Sequence, residues 1–255
     1  MLPVALEDAT KIVQAFLLSG KEYVCLMQLH EDVAAGVVES VLREFAGEIY
    51  QKPPLRASVK RETRKRRIYS IDILDIDGRR VLFKVGCQAG TYVRKLVYDV
   101  GEVLGSGAHM SELRRTRAGP FTEEEGLCTL YDVLNAYASF KETKDETLLR
   151  EIVKPMEEAF EYIPKIYVRD SAVDAICHGA DLAIPGIVKL DSHITEKAPV
   201  AIFTLKGEVV ALAKALLSTE QIMDQEKGLA AKTIRVTMLA ETYPRMWRSK
   251  TSKPL

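Results

Sequence analysis

The chain has 255 residues and a mass of 28.5 kDa, enough for a large domain followed by a small one. Hydrophobic residues at 47% and charged residues at 28% describe an ordinary globular protein, and no apolar run reaches the roughly 20 residues a membrane-spanning helix needs. Net charge is zero, no signal-peptide pattern opens the chain, and the four cysteines and four histidines are dispersed without C-x-x-C spacing; a cytoplasmic protein without a zinc site or disulfide framework is the expectation.

In chain order, Ala9, Val13, Phe16 and Leu17 form an apolar stripe that predicts a helix over Glu7 to Leu18, ended by Ser19-Gly20. Lys21 to Leu29 alternates with apolar residues on both faces, which predicts a central strand carrying Tyr23 near its start. Val33 to Phe45 reads as a helix with Val37, Val38, Val41, Leu42 and Phe45 inward and Gly47 beyond it. Pro53-Pro54 then excludes a helix and makes the next segment extended or looped.

That segment, RASVKRETRKRR from Arg56 to Arg67, holds seven basic residues in twelve with one acid: Arg56, Lys60, Arg61, Arg64, Lys65, Arg66 and Arg67. The tail after Pro244 adds Arg245, Arg248, Lys250 and Lys253, while acids gather between Glu142 and Glu161. A neutral chain with such segregated charge has a candidate nucleic-acid surface, with the arginines lying along a groove.

Ile68 to Ile76 and Arg80 to Val85 alternate on either side of Asp77-Gly78, a strong hairpin signal. The hairpin runs into Gly86-Cys87-Gln88-Ala89-Gly90-Thr91-Tyr92, after which Val93, Leu96, Val97, Val100 and Leu104 recur at helical spacing up to Gly105. Tyr92 and Arg94 therefore flank the first buried position of a strand-to-helix junction. Residues 107–117 predict a returning strand, and Leu130, Val133, Leu134 and Tyr137 predict the inward face of a helix over Glu123 to Ala138. A charged surface helix interrupted by Pro155 follows, and the domain boundary is placed near Ile163-Pro164, giving domains 1–163 and 164–255. Beyond it, short apolar runs separated by Pro185-Gly186, Lys206-Gly207-Glu208 and Gly228 predict a small β-barrel, opened by a helix Ser171 to Cys177 with Asp174 as a weak capping partner.

LPVALEDATK at Leu2 to Lys11, SGKEYV at Ser19 to Val24, GTYVRKLVYDVGEVLGSGAHM at Gly90 to Met110 and LRRTRAGPF at Leu113 to Phe121 together resemble the TruB family of pseudouridine synthases, within it the archaeal and eukaryotic dyskerin branch. The resemblance covers essentially the whole chain. It implies an α+β fold: a mixed sheet with flanking helices, followed by a small PUA-like barrel that binds RNA. It also implies that Tyr23 stacks on the target base, Tyr92 lies over the sugar or accepts a proton at C5, and a buried Arg94 pairs with a catalytic aspartate. Lys21 completes a K-x-Y motif and Leu113 shields the base. No cofactor or metal is implied. The implied partners are an H/ACA guide RNA, its substrate RNA and small H/ACA proteins, with no membrane involved; a stand-alone transfer RNA enzyme and a non-catalytic RNA scaffold are the alternatives. The family's aspartate lies in a G-T-L-D-P segment just before L-P-V-A-L, and this sequence has no such segment. The expectation is an N-terminally truncated catalytic domain, inactive by itself.

Overall fold

The computed structural model describes residues 1–13, 19–53, 60–124 and 126–246 and divides the chain into two compact units, Met1–Pro3 with Leu17–Ala138, and Val4–Phe16 with Ser139–Leu255. Phe16, Leu17 and Arg56 lie outside the described residues, as does the tail from 247 onward.

In the first unit the predicted central strand is β1 (Lys21–Leu29), followed by α1 (Ala35–Glu44), β2 (Gly47–Gln51), β3 (Arg64–Asp77), β4 (Arg80–Cys87), α2 (Val93–Leu104), β5 (Ala108–Ala118) and β6 (Phe121–Thr122). The sheet order is β2-β3-β4-β1-β5-β6, so β1 lies between two partners, as its apolar faces require. Among the described residues every pairing in this sheet is antiparallel. β3 and β4 form the expected hairpin, closed where Asp77 pairs with Arg80. Sequence reading missed β2: Gly47 opens that strand instead of merely trailing the helix.

Residues directly opposite on neighbouring strands share a face. Cys25 and Met27 on β1 and Phe83 and Val81 on β4 therefore form one apolar surface, which α1 covers with Val38 and Leu42 and α2 with Leu96, Val97 and Val100. Each such aliphatic side chain contributes about 1.5–3 kcal/mol on full burial. Val37, expected inward on α1, is 50% exposed, because the helix turns only a narrow stripe to the sheet. α2 runs over the predicted span and ends at Gly105, whose φ of 73° is the left-handed conformation that terminates helices.

Three expectations shift. Residues Glu7–Ile12 form a 3-10 helix rather than α-helix, burying Ile12 and leaving Val13 exposed. The helix expected from Glu123 starts later, as α3 (Leu130–Thr143), because Thr129 and Asp132 satisfy each other's backbone N–H groups in a capping arrangement. Its expected inward residues Leu130, Leu134 and Tyr137 are exposed, and Ala136 is the buried one.

The second unit continues with α4 (Thr147–Ile152), β7 (Lys165–Val168), α5 (Asp170–Cys177), β8 (Leu182–Ala183), β9 (Ile187–Leu190), β10 (Pro199–Thr204), β11 (Val209–Ala215), α6 (Thr219–Met223) and β12 (Leu229–Val236). Its strands are ordered β8-β12-β11-β10-β7-β9, with β7 and β10 parallel, around Ile166, Val168, Ile202, Val210 and Ala213. Asp174 does not cap α5: the helix begins at Asp170, and Asp174, 1% exposed, accepts a hydrogen bond from the Glu241 amide.

Candidate active site

The site starts at the first residue of β1, where Lys21 lies opposite Cys87 of β4 and Ala118 of β5. Lys21, Tyr23 and Cys25 alternate onto the helix-covered face; Cys25 is fully buried, whereas Lys21 and Tyr23 lie further out and stay part-exposed. On β5, Leu113 pairs with Cys25 and Arg115 with Tyr23, so both side chains share that face, and Leu113 is 39% exposed. The Arg115 guanidinium is within hydrogen-bonding reach of the Tyr23 hydroxyl, and its backbone carbonyl accepts from the Met1 amino group at 2.9 Å. Burial, with the Cys87 thiol nearby, pushes the Tyr23 hydroxyl above its ordinary range, and Arg115 only partly offsets this. Tyr23 is therefore a neutral phenol suited to stacking and hydrogen bonding. Lys21 is shifted the other way, lowered by burial and then by Arg115, and its Nζ donates to the Ser19 carbonyl at 2.7 Å.

The strand-to-helix junction lies beside these groups. Cys87, the last residue of β4, is opposite Lys21 and within reach of the Thr91 hydroxyl; its buried thiol is pushed up to about 11. Tyr92 is the N-cap residue of α2, fixed by Gln51 at the end of β2. The Tyr92 N–H donates to Gln51 Oε1 at 3.0 Å, and Gln51 Nε2 donates to the Tyr92 carbonyl at 3.2 Å. Arg94, expected buried, is exposed: it follows the inward Val93 in the first turn and makes no hydrogen bond or ion pair among the described residues.

The basic segment does not present one row of cations. Arg64–Arg67 belong to β3, and strand alternation divides them. Lys65 and Arg67 point away, Lys65 to Glu48 of β2 at 2.6 Å, while Arg64 and Arg66 line a cleft of about 80 Å³ with Gln51, Pro53, Gly90 and Tyr92. Lys60 and Arg61 are exposed, and Lys60 pairs with Glu62 at 2.5 Å. Among the described residues no group of three or more potential metal ligands is assembled.

The structure thus gathers Lys21, Tyr23 and Leu113 on one face, and Tyr92 with Arg64 and Arg66 in an adjoining cleft, with Cys87 contacting both the Lys21 side and the Thr91 turn. Sequence reasoning missed Arg115 and Gln51. Arg115 was present in the L-R-R-T-R segment, but only the register of β1 with β5 distinguishes it from Arg114 and Arg117; Gln51 carries no signal, being a polar residue after two alternating ones.

Three family descriptions cover the chain in order: TruB family pseudouridylate synthase, N-terminal domain, over residues 1–93; tRNA pseudouridylate synthase B C-terminal domain over 94–161; and PUA domain over 164–237. A relative from Methanopyrus kandleri named "Probable tRNA pseudouridine synthase B" is 56% identical over 98% of this chain and 74% of its own length. One of the same name from Thermococcus kodakarensis is 53% identical with the same coverage. Among solved structures, a chain of a Cbf5-Nop10-Gar1 complex matches with a TM-score of 0.92 and 52% identity over 96% of this chain and 74% of that one. A chain of an H/ACA RNP bound to a substrate RNA containing 2′-deoxyuridine matches with a TM-score of 0.87 and 49% identity over 95% and 73%.

Proposed function

The chain belongs to the TruB family of pseudouridine synthases, which are isomerases, and from that membership we propose that it is the catalytic and RNA-holding subunit of a complex directed by an H/ACA guide RNA. The observation that carries the reading is the likeness along nearly its whole length to the chain of the Cbf5-Nop10-Gar1 complex, together with the PUA domain at 164–237. On this reading residues 1–163 form the catalytic domain, and 164–255 grip the guide, with small partner proteins docking on the former.

Pseudouridine forms when the bond between C1′ and N1 breaks, uracil turns, and C5 joins C1′; the proton on C5 leaves and N1 takes one up, so the product is an isomer of the substrate. The rearrangement is redox-neutral and proceeds without a cofactor. The target uridine must leave its stack, and Tyr23 offsets part of that cost by accepting the base on its ring, worth about 1–3 kcal/mol. Its neutral hydroxyl and the Lys21 ammonium offer donors at the base edge, and half-exposed Leu113 covers the base on the same face. Tyr92 lies at the sugar or takes the C5 proton. Arg94, unpaired among the described residues, is free to hold a carboxylate ionised and oriented. That carboxylate, the aspartate of a G-T-L-D-P segment, is not among these 255 residues. The 255-residue polypeptide is therefore expected to bind RNA without converting uridine.

The test is to incubate this polypeptide with uridine-containing target RNA, with and without an H/ACA guide and the small partner proteins, and to follow pseudouridine by mass spectrometry of nucleosides. Guide-dependent binding without conversion supports the reading. Conversion by this polypeptide would refute the need for the absent aspartate, and binding to unguided transfer RNA that ignores added guide would favour the stand-alone enzyme suggested by the names of the relatives.

A further inference from the structure

Within the cleft at Tyr92, we propose that Arg64 and Arg66 form a pocket for one backbone phosphate of the substrate RNA, the phosphodiester flanking the target uridine. This rests on the reading of Tyr92 as the residue at the target sugar. Four observations carry it. First, β-strand alternation turns these two arginines, out of the four consecutive basic residues Arg64–Arg67, to the same side, where they line one cleft with Tyr92. Second, neither guanidinium has a carboxylate within ion-pair distance among the described residues, whereas neighbouring Lys65 and Lys60 are each paired, to Glu48 and Glu62. Two like charges sharing a cleft without an acid repel, and a phosphate relieves that repulsion.

Third, Arg66 Nε is buried and makes no hydrogen bond among the described residues, although Nη1 donates to the Lys65 carbonyl at 2.8 Å. A buried unsatisfied donor on a charged group is costly, and turning the guanidinium edge away from Gly90 onto a phosphate oxygen would satisfy it bidentately. Fourth, Gly90 leaves the space Arg66 occupies: a Cβ there would stand 3.2 Å from Arg66 Nη2 and 3.4 Å from Nε, and its φ of 77° disfavours any other residue. The loop that ends in Tyr92 and the arginine that would hold the phosphate are thus fitted to one another. Holding the phosphate here would fix the sugar against Tyr92, so the pocket would set the position of the reacting nucleotide and not merely add affinity.

The experiment uses the full chain with its guide RNA and a set of substrate RNAs, each carrying a single uncharged methylphosphonate at a different position. Losing a charge-assisted hydrogen bond costs about tenfold or more in Kd. The wild-type chain is expected to show that loss at one of the two phosphates flanking the target uridine and little elsewhere. Arg66→Ala is expected to bind the all-phosphate RNA about tenfold more weakly and to lose less than the wild-type chain does when that same phosphate is neutralised, because only Arg64 still faces it. Arg66→Lys, which keeps the charge but not Nε, should recover only part of the loss, and Gly90→Ala, which crowds the Arg66 guanidinium, should weaken binding in the same direction by less than Arg66→Ala does; a thermal melt of each variant checks that it folds. Unchanged affinity in Arg66→Ala while the wild-type chain binds RNA overturns the pocket alone. A loss in Arg66→Ala that is equal whichever phosphate is neutralised overturns it too, reducing Arg66 to general electrostatic attraction. Failure of the wild-type chain to bind any of these RNAs overturns both the pocket and the RNA-binding reading beneath it.

Discussion

Gln51 shows how a single side chain can hold a site whose chemistry lies in other residues. It is 2% exposed, and its amide serves both backbone groups of Tyr92. Gln51→Ala strands a donor and an acceptor at the entrance to α2, so we expect a loss of about 2 kcal/mol in urea denaturation and weaker RNA binding through a displaced Tyr92. Stability unchanged within error would show that water replaces the amide. A second residue-scale expectation concerns pH. Burial raises the Cys25 thiol from 9.0 to about 12 and Cys87 from 9.0 to about 11. Above the unfolded value the unfolded chain releases these protons while the native chain keeps them, so their stabilisation is complete below pH 9.0 and is lost as pH rises toward the native values. Urea midpoints should therefore hold up to about pH 9 and fall between about pH 9 and about pH 11, and Cys25→Ala should flatten that fall; a slope unaltered by the substitution would place its source elsewhere. None of this was legible in the sequence, since a cysteine in an alternating strand looks the same whether its thiol is buried or open.

The elements best read from sequence are those whose signals are local. The β3–β4 hairpin rests on alternation around Asp77-Gly78, and α2 on five apolar residues at helical spacing before Gly105. What failed depended on partners distant in the chain. β2 was missed because five residues with only Ile49 and Tyr50 as strand formers become a strand through pairing with Arg64–Ile68. The arginines of the basic run were read as one row because their division over two faces appears only once that run is known to be a strand. The apolar spacing of α3 was real, but it says which residues share a face, and in this structure that face is exposed. Gly101, within α2, carried no signal either, yet a Cβ there would lie 2.2 Å from the Ala108 nitrogen, where β5 begins. Gly101→Ala would force α2 and β5 apart, and we expect a loss of about 1–3 kcal/mol despite the gain in helix propensity. A thermal melt checks this, and a stabilised variant would show that the close approach is absent in solution.

At the scale of the whole molecule, a net charge of zero hides strong local structure, and an apolar fraction of 47% hides two separate cores. One is built on Met27, Phe83, Leu96 and Val100, the other on Ile166, Val168, Ile202 and Val210, and the two sets share no residue. The second unit also draws in residues whose placement periodicity could not show. Phe160, in a charged stretch interrupted by proline, is fully buried with its ring edge-on to Phe203 at 6.1 Å, and Ile12 near the chain start belongs to the same unit. An amphipathic segment records which face is apolar, not what will cover it. Separate cores make a single cooperative transition the wrong expectation. Calorimetry should resolve two transitions, and small core truncations should move them one at a time. Ile68→Val removes one methylene from the first core and Ile202→Val one from the second, each costing about 0.5–1.5 kcal/mol and shifting its own transition by roughly 4 °C per kcal/mol. If either substitution moved both transitions equally, the two cores would unfold as one, and the stability of the unit built on Ile202 would be tied to that of the unit holding Tyr23 and Tyr92.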